Sequence, residues 1–449
     1  MQSSNEMILH NVRLPLMDEN MFYKIIIQDG MYKRIEQQPG YATEVRALSI
    51  MDGKQVEVSE IDVEGRIILP SFVDIHTHMD KAFSLKDVPN ESGTLQEAIS
   101  NYSQKAHLFS KEEIKKRVYR SALQSLSFGT THIRTHVNFE LDVSQTLALE
   151  HLQAVLEVKS ELSPYVSMQV VPMFSKMSGR TKREMEIIEE AIQLGVDGIG
   201  GAPHIFPDAE ANIEKLFQLA IKYDKFIDLH VDENDNPAIC TIEQLIEKTK
   251  QYGLQGRVTA GHLCSLAAME QKKADQIMSS MAEQQINAIT LPGANMYLQG
   301  RADRGVVRRG ITRVKELVEY SVPVATASDN INDPFHPFGR GDMLQIGLLT
   351  AYAAHMASKT EILHVLKMIT TIPGRMFGID NHQVEPGAYA NFVVFDTNDV
   401  YDMFGSSSPS RYIFTKGKWL TSTTESHSFG DRKLEDLWNG IKQSATIKL

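Results

Sequence analysis

Short segments of alternating apolar and polar residues occupy the first part of the chain, from Met7 to about Leu69. The segments MILHNVRL and KIIIQDGMYKRIE are rich in Ile, Val and Tyr, and a QDG turn interrupts the second of them. This pattern predicts a small antiparallel sheet. It returns near the other end in YANFVVFD and RYIFTKGKWLTS, where KGK marks another turn. Because each set of strands is too short to bury a sheet face alone, we expect both ends to share one β-domain.

Between these ends, apolar runs rich in β-branched residues alternate with segments of helical spacing. In order, the runs are RIILPSFVDIHTH, GTTHIRTHVNF, YVSMQVVPM, VDGIGGAPH, KFIDLHVDE, RVTAGHL, NAITLPG and VPVATASD. Segments between them, such as TLALEHLQAVLEVKSEL, KREMEIIEEAIQLG and ANIEKLFQLAIKYD, have the composition of helices. Eight near-continuous apolar strands separated by helices predict a parallel barrel, because strands covered on both faces need not alternate in polarity.

The predicted fold class is therefore α/β, a (β/α)8 TIM barrel with a small β-sandwich domain formed by the N- and C-terminal segments. The predicted boundaries are 1–69 for the first part of the sandwich and 70–383 for the barrel. Residues 384–449 are predicted to form the second part of the sandwich and a C-terminal tail.

Composition and charge narrow the classes of function. The 449 residues are 42% apolar and 23% charged, which is typical of a globular chain. A formal net charge of -11 without a basic run argues against nucleic acid or an anionic membrane as partners and favours a small-molecule substrate. Cys240 and Cys264 are too few for a disulfide framework, and the first residues lack the features of a signal peptide, so we expect a cytoplasmic protein. Assembly into a homo-oligomer stays open.

Candidate site residues stand at the C-terminal ends of the predicted strands, where the active sites of such barrels lie. The first strand ends with His76 and His78, and side chains two apart in an extended segment point to the same side, so both imidazoles can reach one ion. Later strand ends contribute His230, Asp232, Glu233, His262 and Asp329.

Each of these residues also has a structural interpretation. An isolated pair of histidines two apart is common by chance, and a single His such as His262 is more often a satisfied core residue than a site residue. For His132, His136 and His204, which also lie at or near strand ends, both interpretations stay open. Cys264 is expected to be a small buried residue rather than a nucleophile, since no paired base is evident.

Several stretches together carry a resemblance to the amidohydrolase superfamily. They are PSFVDIHTHMDKAF, HIRTHVNF, KYDKFIDLHVDEND, RVTAGH, YLQGRADRGVVRRGITRVKEL and SDNINDPFHPFGRGDM. The chain is most similar to the bacterial cytosine deaminase group and to the related aminohydrolases of triazine and creatinine-type rings. The resemblance covers essentially the whole chain, and the long LQGR to RVKEL segment is far more specific than the histidine pair.

The resemblance implies a role for each candidate at the centre of the site. It makes His76, His78, His230 and Asp329 the metal ligands, Glu233 the proton shuttle and His262 the residue that orients the hydrolytic water. A metal ion with nitrogen and oxygen ligands and an open position lowers the pKa of bound water from 15.7 to roughly 7. Asp329 can accept the proton of that water, and Glu233 can protonate a ring nitrogen of the substrate.

The fourth predicted strand bears on the number of metal ions. Many superfamily members bind two ions through a carboxylated lysine at this position, whereas here the segment VDGIGGAPHIF offers Pro203 and His204. One divalent metal ion per chain is therefore expected, and the ligand types suit zinc or iron(II) equally.

Departures from the cytosine deaminase pattern concern the substrate pocket. Ser175 stands where those enzymes have a glutamine that binds the amide edge of the pyrimidine, Asn330 stands for an aspartate and Phe335 for a tryptophan. Cytosine is therefore in doubt as the substrate. The candidate pocket residues are Lys81, Ser175, Gln299, Arg301, Asn330 and Phe335. For Gln299 and Arg301 the alternative is a structural role in the loop after the seventh strand.

The expected function is a metal-dependent hydrolytic deaminase that releases ammonia from a small amino-substituted heterocycle, cytosine-like, isocytosine-like or triazine-like. A second possibility is an amidohydrolase that cleaves a cyclic amide or removes a substituted amine. A third is a non-catalytic scaffold, which the full ligand set disfavours.

Overall fold

Two β-sheets organise the fold, one built from both ends of the chain and one from its middle. The computed structural model of the protein describes residues 6–43, 48–49, 60–406 and 408–447. Within these ranges, no helix is both long and apolar enough to cross a membrane.

The sheet from the two ends has nine strands in the described part of the chain. They are β1 (Glu6–Leu14), β2 (Asp18–Gln28), β3 (Met31–Gln38), β4 (Leu48–Ser49), β5 (Glu60–Asp62), β6 (Ile67–Pro70), β15 (Phe392–Phe395), β16 (Arg411–Thr415) and β17 (Lys418–Thr423). The strand order is β17-β16-β15-β6-β1-β2-β3, and β5 pairs with both β1 and β4. The shared sheet is confirmed, but it is mixed rather than antiparallel, because β5 and β6 run parallel to β1. Parallel strands are joined by a crossover connection rather than a tight turn, so no turn motif in the sequence indicates their pairing.

Two tight turns set the registers of the outer hairpins. Asp29 and Gly30 between β2 and β3 have φ of 53° and 77°, and Lys416 and Gly417 between β16 and β17 have φ of 52° and 78°. Positive φ at both central residues is the type I′ pattern, whose twist matches that of the flanking strands. The QDG and KGK motifs of the sequence therefore correspond to these two hairpin turns.

The middle of the chain forms the predicted parallel barrel. Its strands are β7 (Phe72–Thr77), β8 (Thr130–Asn138), β9 (Ser167–Met173), β10 (Gly198–Gly201), β11 (Phe226–Val231), β12 (Val258–His262), β13 (Asn287–Thr290) and β14 (Val324–Thr326). They pair in sequence order from β7 to β14. A parallel bridge between Thr77 and Asp329 joins the first strand to the segment after the last and closes the sheet. The predicted fold class is thus confirmed.

Helices cover the barrel and extend to the C-terminal part of the chain. They are α1 (Leu95–Lys105), α2 (Lys111–Ser127), α3 (Gln145–Leu162), α4 (Lys182–Gln193), α5 (Ala209–Lys222), α6 (Thr241–Tyr252), α7 (Gln271–Glu283), α8 (Pro292–Leu298), α9 (Val314–Glu319), α10 (Met343–Ala353), α11 (Lys359–Met368), α12 (Thr371–Met376), α13 (Val400–Gly405) and α14 (Arg432–Ile447). Capping boxes begin α2, α4 and α11, where a Ser or Thr and the Glu three positions later satisfy free backbone N–H groups.

A buried ion pair ties the terminal sheet to the barrel. Arg411 of β16 donates from Nη1 and Nη2 to the two carboxylate oxygens of Asp342, both at 2.9 Å, and also donates to the Phe128 carbonyl at 2.7 Å. Asp342 is the N-cap of α10, and Phe128 is the C-cap of α2. Arg411 of the terminal sheet therefore contacts the ends of two barrel helices. The division at 1–69, 70–383 and 384–449 stays a prediction.

Candidate metal centre and active site

Three histidines and an aspartate from three strands converge at the C-terminal end of the barrel. His76 lies in β7 and His78 just after it, His230 lies in β11, and Asp329 follows β14. The Nε2 atom of His78 is 3.0 Å from His230 Nε2 and 3.3 Å from Asp329 Oδ1. The Nε2 atom of His76 is 3.3 Å from His230 Nε2 and 3.7 Å from Asp329 Oδ1. All four side chains are buried.

The spacing and chemistry of these atoms fit a divalent metal ion. Ligand atoms that are 2.0–2.1 Å from a tetrahedral ion are about 3.3 Å from one another. Burial lowers the pKa of His76, His78 and His230 well below the usual value, which keeps the imidazoles in the neutral form that binds metals. His262 also offers a nitrogen within 4.8 Å of atoms of His76, His230 and Asp329. The cluster could therefore hold a divalent metal ion.

The backbone at these strand ends adopts conformations that few residues favour. Asp232, His262 and Asp329 have φ of 52°, 71° and 60°. Such left-handed conformations at residues other than glycine cost energy and concentrate at functional sites. Asp329 also donates its N–H to the His76 carbonyl and accepts from the His78 N–H, both at 2.9 Å. Barrel closure thus sets where the candidate ligands from the ends of β7 and β14 meet.

A buried ion pair lies on the inner side of the ligand cluster. Arg134 Nη1 donates to Asp228 Oδ2 at 2.7 Å. The other carboxylate oxygen of Asp228 is 3.6 Å from His136 Nε2 and 4.0 Å from His76 Nδ1. The His136 ring packs against that of His76 with centroids 4.0 Å apart. The His76 ring is therefore packed against His136, with the Asp228 carboxylate nearby but beyond hydrogen-bond distance.

The other two histidines with open roles lie in different places. His204 Nδ1 is 3.0 Å from the carbonyl oxygen of His230, so it contacts a ligand residue through the backbone. His132 lies among the rings of His382 and Phe377, with centroids 5.3 and 5.2 Å away, and does not line the cavity beside the cluster.

Glu233 and His262 lie next to each other beside the cluster. Glu233 Oε1 is 3.6 Å from His262 Nδ1, and both side chains are buried. Burial, and then the negative charge of Asp329, raise the pKa of Glu233 well above its usual range. Asn295 Nδ2 donates to His262 Nδ1 at 2.9 Å, which leaves Nε2 as the protonated nitrogen of a neutral ring. The raised pKa favours the protonated form of Glu233.

A cavity of about 340 Å³ opens onto the cluster. Four predicted pocket residues line it, namely Lys81, Ser175, Asn330 and Phe335. The structure places Gln299 and Arg301 outside its walls, in a separate depression. Gln299 Nε2 contacts the Glu233 carbonyl at 3.4 Å, and the Arg301 guanidinium lies 4.5 Å from the ring centroid of Tyr297.

The polar groups of the four lining residues differ in their availability. The Lys81 ammonium lies 4.3 Å from the ring centroid of Phe335. Asn330 Nδ2 donates to Asp333 Oδ2 at 2.7 Å, and Ser175 Oγ accepts from the N–H of Ala202 at 3.0 Å. Ser175 therefore serves the backbone and offers no bidentate amide to a ligand.

Sequence reasoning missed the cavity walls that come from α1 and from the loop after β8. Ile99, Tyr102, Phe139 and Glu140 line the cavity. Phe139 ends the predicted second strand and Glu140 follows it, but neither was named as a pocket candidate. Sequence reasoning also missed Asn295. The one indication in the sequence is that Asn295 is a polar amide residue within the apolar segment after the seventh strand. These residues become visible only when the helix and loops are placed over the barrel.

A barrel that gathers histidines, an aspartate and a glutamate onto one cavity at its C-terminal end is typical of metal-dependent hydrolases. Residues 100–406 match the model of the amidohydrolase family, and the chain belongs to this family. The resemblance to it is thereby confirmed.

Relatives of this chain act on carbon–nitrogen bonds. The chain is 28% identical to a pterin deaminase of Rhizobium rhizogenes, over 81% of this chain and 82% of that one. It is 30% identical to an N-isopropylammelide isopropyl amidohydrolase of Pseudomonas sp., over 75% and 82%. The crystal structure of 5-methylcytosine deaminase from Klebsiella pneumoniae liganded with 5-fluorocytosine is similar in fold, with a TM-score of 0.85, 28% identity, and coverage of 94% and 99%. These homologues identify the chain as a hydrolase of carbon–nitrogen bonds.

Proposed function

We propose that the protein is a metal-dependent deaminase that releases ammonia from a small amino-substituted nitrogen heterocycle, cytosine-like, isocytosine-like or triazine-like. The observation that carries the proposal is that His76, His78, His230 and Asp329 converge beside Glu233 on one cavity. We assign these four residues as ligands of one divalent metal ion per chain, zinc or iron(II). The absence of a lysine from the segment VDGIGGAPHIF supports a single ion.

The reaction replaces the amino group with an oxygen atom from water. When bound, the metal ion supplies the Lewis acidity that brings the pKa of water toward neutrality. Asp329 accepts a proton from the attacking water, and the Nε2–H of His262 orients its oxygen. Glu233 donates its proton to the ring nitrogen beside the amino-bearing carbon, which makes that carbon more electrophilic. Glu233, now a carboxylate, takes the remaining proton of the added hydroxyl and passes it to the amino nitrogen, so that the carbon–nitrogen bond breaks and ammonia leaves. The proton held by Asp329 then returns to Glu233.

The polar groups in the cavity support a substrate ring that carries a hydrogen-bond acceptor facing the Lys81 ammonium. Phe335 lies next to this ammonium and offers an aromatic face to a planar ligand. Two of the similar proteins, the pterin deaminase and the 5-methylcytosine deaminase, are named for the deamination of amino-substituted rings. Both observations support a ring amine as the leaving group.

Removal of a substituted amine is the second candidate. The similar N-isopropylammelide isopropyl amidohydrolase is named for such a reaction. The same ligand set and the same proton donor would serve it, since only the group on the leaving nitrogen differs.

An ammonia-release screen with metal-reconstituted protein tests the proposal. The panel contains purines, pyrimidines, triazines and creatinine-type rings, with N-alkylated triazines for the second candidate. We expect ammonia from at least one unsubstituted amine, and no release from His230→Ala, which loses a ligand. Release of an alkylamine without ammonia from any compound would favour the second candidate instead.

A further inference from the structure

The cavity extends well beyond the metal-ligand cluster. In addition to the strand ends, its walls come from α1 and from the loops after β8, β9 and β10. Its volume of about 340 Å³ is about eleven times the share of one water molecule in the liquid. A single six-membered ring whose reacting carbon lies at the cluster leaves part of this space unfilled on the side of α1.

The walls of this distal end are apolar and partly aromatic. Ile99 and Tyr102 of α1 belong to them, together with Phe139 and Phe174 from the loops after β8 and β9. The rings of Phe139 and Phe174 pack edge to face with centroids 5.1 Å apart. Such walls favour a second planar ring.

One carboxylate, that of Glu140, lies in this apolar wall without an ion-pair partner among the described residues. Its Oε1 accepts from Ser103 Oγ at 3.1 Å and from Asn138 Nδ2 at 3.0 Å, whereas Oε2 accepts from Ser103 Oγ alone, at 3.2 Å. Each carboxylate oxygen can accept two hydrogen bonds, so Oε2 has capacity for a donor on a ligand. Arg180, a cation at the same end, is already paired with Asp142 at 2.6 Å.

Lys81 supplies the opposite polarity in the same cavity. Its side chain is 4% exposed, and its ammonium makes no hydrogen bond with any residue that the structure describes. The ammonium lies over the rings of Tyr102 and Phe335, and nearby carboxylates, including that of Glu140, interact with its charge. Its free N–H groups can donate to a carbonyl oxygen that a ligand brings to it. The cavity therefore presents a donor at Lys81 and an acceptor at Glu140.

On the basis of the proposed deaminase function, we infer that the substrate is a fused bicyclic aminoheterocycle. Its reacting ring presents a carbonyl oxygen to Lys81, and its second ring fills the distal end of the cavity and donates an N–H to Glu140. Glu140 is thus a specificity-determining residue.

Three compounds that share one amino-oxo-pyrimidine ring test this inference. Isocytosine is the single ring, whereas guanine and isoxanthopterin carry the same ring fused to a second ring with an N–H. With metal-replete protein, we expect kcat/KM for at least one fused compound to exceed that of isocytosine by about tenfold or more. In Glu140→Gln this ratio should fall by about tenfold, the loss expected for one hydrogen bond to a charged group.

Ser103→Ala is the matched control, because it removes the hydroxyl that ties α1 to Glu140 and keeps the carboxylate. Its ratio of fused to single-ring kcat/KM should change much less than that of Glu140→Gln. Thermal unfolding of both variants shows that they are folded. Equal losses in the two variants would mean that Glu140 only anchors α1, and a wild-type preference for isocytosine over both fused compounds would also overturn the inference.

Calorimetric binding of the same compounds separates this inference from the proposed function. If fused compounds bind more tightly than isocytosine, lose that advantage in Glu140→Gln and yet release no ammonia, the deaminase proposal fails while the binding subsite stands. If isocytosine is deaminated and the fused compounds gain nothing in binding or turnover, the subsite fails alone.

Discussion

Replacing Glu233 by glutamine tests the proposed division between metal ligands and proton donor. The substitution keeps the volume of a buried side chain, and the carboxylate lies 3.6 Å from His262 Nδ1, which is too long for a strong hydrogen bond. We therefore expect little loss of stability. Glutamine cannot transfer a proton, and general acid–base catalysis contributes typically 10²–10⁴-fold. The loss in kcat should reach that range, about 3–5 kcal/mol of transition-state free energy at 1.36 kcal/mol per tenfold.

The assay combines steady-state ammonia release with elemental analysis of the same preparation. Metal content should stay close to that of the wild type, because Glu233 is not among the converging ligand atoms. Glu243→Gln is a suitable control, since this glutamate lies on the surface of α6 and pairs with Lys273. A variant without metal would make Glu233 a ligand, and a variant with more than about a tenth of wild-type kcat would remove it from proton transfer.

Three further predictions address the metal, the substrate and the packing of the two sheets. Elemental analysis should find close to one transition-metal ion per chain, whereas two ions in active protein or full activity after chelation would contradict a single-ion site. The family resemblance puts Ser175 where cytosine deaminases have a glutamine, so we expect cytosine to be a poor substrate. A kcat/KM above about 10⁵ M⁻¹s⁻¹ that exceeds the whole panel would refute this. Arg411→Met should lower the free energy of unfolding in urea by about 1–3 kcal/mol, since Asp342 loses the two hydrogen bonds from Arg411 and keeps its ion pair with Arg340 at 2.6 Å. A loss below about 1 kcal/mol would show that the pair contributes little.

The barrel and the meeting of its polar strand ends were predictable because both follow from periodicity, whereas the metal-ligand roles came from the family resemblance. Apolar runs mark the parallel strands, and in such a barrel all the strands end on the same face. Position along the chain therefore translates into position in space: His76, His230 and Asp329 are far apart in sequence, but each stands at the end of a strand. The mixed pairing of the terminal sheet was not predictable, since the parallel partners of β1 are short and no turn links them.

The cavity walls could not be derived in the same way. Gln299 and Arg301 are about as near in sequence to the end of a strand as some residues that do line the cavity. Their loop nevertheless lines a separate depression. Tyr102 and Glu140 line the cavity because α1 and the loop after β8 fold over the barrel mouth. No local pattern reports where a helix packs relative to a distant strand, so sequence alone identifies the chemistry of the cluster better than the shape of its pocket.

This difference has a physical origin in how the two parts are held. Barrel closure holds the proposed ligands from the ends of β7 and β14 together. The N–H of Asp329 donates to the His76 carbonyl, and the N–H of His78 donates to the Asp329 carbonyl, both at 2.9 Å. A shift there would break the barrel itself. The distal wall depends on side-chain contacts such as those of Glu140 with Ser103 and Asn138. Such contacts can change without disturbing any strand, so substrate choice can diverge within this family while the proposed ligand set and the proposed proton donor stay the same.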